Sequence, residues 1–310
     1  MVSTSVLSFQ RVHKRFFVGF RRKAVQALDT VTFAVPDGSV TALLGPNGAG
    51  KSTALALAVG LLHPDRGDVH IYDAPPGRTP VGYLPEAFRG PPAMTPVRLV
   101  SWMARLRGVT PSAARSRAAE ALERVGLTRR HWGRPVGKLS RGMQQRVGMA
   151  QAIVGMPGLV LLDEPMAGLS PEGRALFHRI VSEERARGAT QVLSTHVLDD
   201  AQRLCDHVVI LRKGRVKVAG ALDGLLGPLG TVIVRLQEFP ETLRPSLQRL
   251  GGKAALHGAL WEVTVPSSSR TALLDALRVA GVSPLQVEDQ PATLRDLYDA
   301  HRPPGEGAAA

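Results

Sequence analysis

The residues Gly45-Pro46-Asn47-Gly48-Ala49-Gly50-Lys51-Ser52 fit the pattern G-x-x-x-x-G-K-[ST]. Glycines at this spacing let the backbone curl until successive N–H groups point into one concavity, the shape that holds a phosphate. The positive end of a following helix adds to that field. Lys51 places a point charge on β- and γ-phosphate oxygens, and the Ser52 hydroxyl is a ligand for Mg²⁺. A second group stands far downstream. Gly158-Leu159-Val160-Leu161-Leu162-Asp163-Glu164-Pro165 is an apolar run that ends in two carboxylates. At the carboxyl end of a parallel strand, Asp163 would sit beside the phosphate loop and hold Mg²⁺. Glu164, one residue on, is placed to orient and deprotonate an attacking water.

These groups need strands that end together and helices that begin there. The apolar run Val40–Leu44 stops at Gly45 and predicts a buried strand, and Ser52–Leu62 predicts the helix after the loop. Val6–Gln10 and Thr30–Val35 predict two strands that bracket a basic segment, and Asp68–Tyr72 a further one before the turn Pro75–Pro80. Pro96–Gly108 and Pro111–Val125 have helical spacing and predict a helical block. Leu159–Leu162 and Gln191–Ser194 read as strands, Pro171–Ala186 and Leu198–Leu204 as helices. His207–Leu211 and Arg215–Ala219 read as a hairpin turning at Lys213-Gly214. Strands alternating with helices imply an α/β core with parallel strands.

The pattern changes after Leu226-Gly227-Pro228. A strand over Thr231–Leu236, a helix over Glu241–Leu250 and a hairpin of Lys253–His257 with Ala259–Val265 come first. A helix over Ser269–Ala280, a strand over Val282–Glu288 and a helix over Ala292–His301 follow. The order βαββαβ is the ferredoxin-like order. The expected division is 1–225 for the nucleotide-binding domain, 226–302 for a small α+β accessory domain, and a disordered tail over 303–310.

With both phosphate-site motifs in place, residues 5–225 resemble the ATPase subunits of ATP-binding-cassette (ABC) transporters. Lys138-Leu139-Ser140-Arg141-Gly142-Met143-Gln144-Gln145-Arg146 is similar to the family's signature, usually spelled LSGGQ, and opens a helix. The resemblance implies that Ser140 and Gly142 reach the γ-phosphate of ATP held by a second subunit. Tyr83-Leu84-Pro85-Glu86 stands at the family's Q-loop, with Glu86 where Gln is usual; an acid there is also a ligand for Mg²⁺. Ser194-Thr195-His196 matches the switch histidine, which implies that His196 contacts the γ-phosphate. Met166–Pro171 matches the D-loop, with Ser170 where Asp is usual. The family stacks adenine on an aromatic residue upstream of the loop; Phe16, Phe17 and Phe20 compete here, and Phe16 aligns best.

The resemblance therefore implies an α/β fold, a P-loop ABC ATPase core whose mixed sheet forms a RecA-like subdomain, with a helical subdomain over about 87–150. It implies an ATP set of Phe16, Gly45, Pro46, Asn47, Gly48, Ala49, Gly50, Lys51, Ser52, Thr53, Ser140 and Gly142, a metal set of Ser52, Glu86 and Asp163, and catalytic residues Glu164 and His196. The cofactors implied are ATP and Mg²⁺. LSRGM, YLPE and the segment Pro291–Tyr298 are similar to the type 2 exporter class of bacteria. The expected partners are a second copy of the chain and a separate membrane permease, with no nucleic acid. The runner-up is a soluble, non-transport ABC ATPase acting on ribosomes or nucleic acid; such chains usually carry two cassettes or a long coiled coil, and this one has one phosphate loop and no long heptad run.

Composition is consistent with this. Of 310 residues, 44% are hydrophobic and 21% charged, which excludes a disordered chain. The longest apolar stretches fall well short of the roughly 20 residues a membrane span needs. There is no signal-peptide pattern, and the lone Cys205 permits neither an intrachain disulfide nor a zinc cluster. The expected place is the cytoplasm, peripheral on the inner face of the cell membrane. Net charge is +13, concentrated in two segments. Residues 1–28 carry six basic groups and no acid; residues 98–146 carry twelve basic and two acidic, 12 − 2 = +10. A polybasic surface gains about 1 kcal/mol per charge beside an anionic leaflet.

Overall fold

The computed structural model describes residues 5–18, 23–76, 79–227 and 230–301. The chain divides into two compact units, Met1–Ala219 and Gly220–Ala310.

The first unit has two sheets. β1 (Ser5–Val18) pairs antiparallel with β2 (Lys23–Pro36) and with β4 (Arg66–Ile71). Both β1 and β2 outrun the lengths their apolar cores predict, because cross-strand pairing continues through Phe16↔Val25 and Phe17↔Ala24. The larger sheet has the order β5-β6-β7-β3-β8-β9. Its strands are β3 (Val40–Leu44), β5 (Val81–Leu84), β6 (Leu159–Asp163), β7 (Thr190–Thr195), β8 (His207–Arg212) and β9 (Arg215–Ala221). The pairs β3–β7, β3–β8, β5–β6 and β6–β7 are parallel. β3, β6 and β7 are buried along their whole lengths, as strands covered on both faces must be.

Helix α1 (Lys51–Ala58) lies between the two sheets, touching β2 and β4 on one side and β6 on the other. It is shorter than the stretch to Leu62 predicts, since the N–H groups of Leu61 and Leu62 both turn back to the Ala56 carbonyl and close the helix. The core joins both sheets through it: Leu28, Val31, Leu43, Leu55, Leu57, Leu161 and Val209 are all but inaccessible. Each such side chain contributes about 1.5–3 kcal/mol. Phe9 and Phe33 stack at 4.5 Å between centroids.

The basic segment forms the helical block: α2 (Pro96–Leu106), α3 (Pro111–Arg124) and α4 (Arg141–Ile153) pack on one another. Arg124 of α3 ties the block to α5 (Pro171–Ala186) through Glu184, whose side chain is wholly buried, at 2.8 Å. Arg187 closes the other side of that carboxylate.

The second unit holds β10 (Thr231–Leu236), β11 (Lys253–His257), β12 (Leu260–Pro266) and β13 (Gln286–Gln290), all antiparallel, in the order β11-β12-β10-β13. The helical stretch after β10 is divided: a short 3₁₀ turn over Glu241–Leu243 leads into a helix only at Arg244–Arg249, where Pro245 takes the first turn. β13 begins four residues later than the apolar run at Val282 predicts, beyond Pro284. Val232, Val234, Val263, Val265, Leu273 and Leu277 form its core. The expected tail over 303–310 lies outside the described residues, as do Gly77 and Arg78 of the expected Pro75–Pro80 turn.

Candidate functional site

Parallel strands of matched register end together, and that alone gathers the site. Leu44 is level with Thr195, Ser194 with Asp163, and Leu162 with Leu84. The phosphate-loop pattern, Asp163-Glu164, His196 and Glu86 therefore all leave the sheet at its carboxyl edge, where open α/β sheets bind ligands.

A cleft of about 350 Å³ opens there, lined by Pro46 through Thr53, Glu86, Glu164, Gln26, Val25, Ala27 and Phe16. Gly50 shows why the loop needs glycine: its φ is +104°, and a Cβ would stand 2.6 Å from the Ala27 carbonyl oxygen. A side chain there would push the loop off β2. From the other side, the Gly214 N–H of the β8–β9 turn donates to the Ala49 carbonyl at 3.1 Å.

Lys51 is 5% exposed and its ammonium is tightly held. Nζ donates to the Gly45 carbonyl at 2.7 Å and the Pro46 carbonyl at 3.4 Å, and stands 3.2 Å from Glu164 Oε1. Glu164 Oε1 is buried and takes no hydrogen bond among the described residues; the Lys51 ammonium holds it by charge. Glu164 Oε2 lies 3.0 Å from His196 Nδ1. An ionised carboxylate only accepts, so that hydrogen bond places the proton on Nδ1. His196 is half exposed.

Ser194 organises the two acids. Its hydroxyl donates to Asp163 Oδ1 at 2.6 Å and accepts the Glu164 N–H at 2.9 Å. Glu164 has φ +44°, in the left-handed region. Such a residue costs about 1–3 kcal/mol and persists where surrounding contacts fix it; the Ser194, Lys51 and His196 contacts do so here. Asp163, one residue before Glu164, is 2% exposed and is not among the residues that line the cleft. Its charge, after burial, pushes the Tyr83 phenol up to about 12.

Of the three aromatic candidates, Phe16 lines the cleft, Phe17 is 68% exposed, and Phe20 lies outside the described residues. Asp65 steadies the strand that carries Phe16, through Lys14 Nζ at 2.9 Å and the Arg15 N–H at 2.6 Å. Ser140 and Gly142 do not line this cleft. Ser140 is the N-cap of α4, its hydroxyl accepting the Met143 N–H at 3.4 Å, and a Cβ on Gly142 would meet open space. Ser170 likewise caps α5 and accepts the Gly173 N–H at 3.3 Å, a task Asp would also fill.

Sequence reading did not single out Ser194, Asp65 or Gln145, whose amide donates to the Pro165 carbonyl at 3.3 Å. Ser194 carried one usable signal, its place beside His196 at a strand end. Asp65 had none, since its partners are 50 and 51 residues away.

Ser52 and Glu86 line the cleft, and with Asp163 they offer only oxygen atoms, the donor type that suits a magnesium ion. Among the described residues no helix is long and apolar enough to cross a membrane.

Comparison with known proteins bears on the family and the fold. A family model described as ABC transporter matches residues 28–167. Nod factor export ATP-binding protein I of Burkholderia orbicola (strain AU 1054) is 31% identical over 306 residues, covering 96% of this chain and 97% of the relative. A solved ATP binding subunit of an ABC transporter is 32% identical with TM-score 0.63, covering 71% of this chain and 92% of that one. A dimeric bacterial ABC transporter cassette is 25% identical with TM-score 0.64, covering 70% and 98%. The chain belongs to the ABC transporter ATP-binding proteins, the ATP-hydrolysing cassettes of ABC transporters.

Proposed function

We propose that this chain powers export: two copies stack head to tail around two Mg-ATP molecules and drive a separate membrane permease. The observation that carries the reading is the chain of contacts from buried Lys51 through buried Glu164 to half-exposed His196 at the carboxyl edge of the sheet. Support for export comes from the Nod factor export relative, which matches along nearly the whole of both chains. Support for pairing comes from the dimeric cassette and from the position of Ser140 and Gly142, away from the chain's own cleft.

Each residue then has a defined task. Phe16 stacks on the adenine. The Gly45–Thr53 loop donates its N–H groups to the phosphates, and Lys51 turns its ammonium from Glu164 to the β- and γ-oxygens. Ser52, Asp163 and Glu86 hold Mg²⁺; when bound, the metal draws off charge developing on the γ-phosphate. Glu164 Oε1, released as Lys51 turns to the phosphates, takes the proton from the attacking water. His196, its Nδ1 proton engaged by Glu164, contacts the γ-phosphate and holds Glu164 in place. Ser140 and Gly142 bring the positive end of α4 to the ATP of the partner subunit. Residues 226–302 form a ferredoxin-like accessory domain. The chain sits on the cytoplasmic face of the membrane by binding its permease, and its basic helical block lies toward that face.

The test is recovery of a tagged chain from its native host. It should co-purify from detergent-solubilised membranes with an integral membrane protein. Recovery only as a soluble species, bound to ribosomes or nucleic acid, would overturn the export reading in favour of the non-transport one.

A further inference from the structure

β5 is the edge strand of the large sheet, and it leads directly into Glu86. An edge strand leaves alternate carbonyls without a strand partner. Here two side chains of the helical block take them. Arg107, just past α2, donates through Nη2 to the Val81 carbonyl at 3.2 Å. Gln151, in the last turn of α4, donates through Nε2 to the Tyr83 carbonyl at 2.5 Å. The same Arg107 reaches the end of α4 through Nη1, at 2.5 Å to the Gln151 carbonyl and 2.9 Å to the Val154 carbonyl. No carboxylate answers this guanidinium among the described residues. Its partners are carbonyls at a helix C-terminus, where a cation is favoured, and at the strand edge.

The contact is close as well as polar. A Cβ on Gly82 would stand 2.2 Å from the Ala152 carbonyl oxygen, so the backbones of β5 and α4 touch. Burial pulls the Arg107 pKa down to about 10, which leaves it charged at neutral pH. The far end of α4, about 20 Å away along a 13-residue helix, carries Ser140 and Gly142.

We infer that Arg107 and Gln151 are positioning residues that join the Glu86 strand to the signature helix as one mechanical unit, so that events at one chain's phosphate loop set where that chain presents Ser140 and Gly142. This rests on the two-site reading above. Arg107 serves the reaction without touching nucleotide: it converts a shift of β5 into a shift of α4 that would otherwise be lost by sliding at the strand edge.

The experiment compares wild type, Arg107→Met, Arg107→Lys and Gln151→Met in ATP turnover against ATP concentration, together with binding of a fluorescent ATP analogue. Two coupled sites give wild type a Hill coefficient approaching 2. Arg107→Met should bind the analogue within about twofold of wild type. Its kcat should fall about 10- to 100-fold, the scale of misplacing a catalytic group by an ångström, and its Hill coefficient should approach 1. Arg107→Lys, which keeps the charge but not the fork, should recover part of both. A merely structural role would lower thermal stability and leave the Hill coefficient unchanged, and that result overturns the inference. Should Arg107→Met fail to fold, Gln151→Met removes the Tyr83 tie alone, and an unchanged Hill coefficient there overturns it equally. A cooperative wild type with equally cooperative variants sinks this inference only; a wild type with no cooperativity sinks the two-site reading as well.

Discussion

Lys51 Nζ stands 3.2 Å from Glu164 Oε1, both side chains less than a tenth exposed. In the proposed mechanism the ammonium that answers a phosphate and the carboxylate that takes a proton are thus direct neighbours, brought together from positions 164 − 51 = 113 residues apart in sequence. On that reading an arriving γ-phosphate competes with Glu164 for Lys51, and success frees the carboxylate to face water.

Removal of that ammonium should end turnover. Lys51→Ala deletes the cation beside the phosphates and leaves Glu164 buried with no counter-charge. A hydrogen bond to a charged group contributes about 1.5–3 kcal/mol, so ATP affinity should fall about 10- to 100-fold. Turnover by released phosphate and affinity by nucleotide titration check both. Normal turnover in the purified variant would remove the loop assignment.

The neighbouring phenylalanines should separate cleanly. Phe16 lines the cleft, whereas Phe17 is 68% exposed. Base–aromatic stacking contributes about 1–3 kcal/mol, so Phe16→Ala should weaken ATP binding by that amount and leave kcat nearly unchanged. Phe17→Ala should bind as wild type. The reverse order of effects in a titration would move the adenine site.

Asp65 ties the Phe16 strand to the turn after α1, and the Lys14 ammonium, then the Arg15 N–H, hold its carboxyl below the ordinary value of 3.8. A lowered folded value means the tie is complete at neutral pH and lost only as pH falls through the acid range below 3.8. Nucleotide affinity should therefore show no Asp65 contribution to pH dependence between pH 6 and 8. Asp65→Asn should weaken ATP binding at neutral pH by less than about threefold, the scale of an exposed pair, through the same strand. A large loss of kcat instead would place Asp65 in the chemistry.

Much of the site was legible because its motifs are contiguous. Gly45–Ser52 spells a loop whose φ values and close backbone contacts only glycine permits, and Leu159–Asp163 spells a strand with no polar face. Helix α5 and strand β3 have the ends their punctuation predicts, Ser170-Pro171 and Gly45. What stayed hidden depends on contacts between distant segments. Ser194 bridging Asp163 and Glu164, Asp65 gripping β1, and Arg107 on the β5 edge are pairings that no local pattern encodes. The early end of α1 and the late start of β13 follow from turn geometry rather than from hydrophobic content.

The most direct measurement is made on Glu164→Gln, which keeps the size of the side chain but removes the proton acceptor. Loss of a general base costs about 10²–10⁴ in rate, so kcat should fall by that factor while ATP binding is spared or improved, since Lys51 loses its competing charge. Held ATP should then keep two subunits together: on size exclusion the variant should run as a dimer with ATP and Mg²⁺ and as a smaller species without them. Wild-type turnover in Glu164→Gln would contradict the catalytic assignment, and an inactive variant that never dimerises would contradict the paired-subunit account.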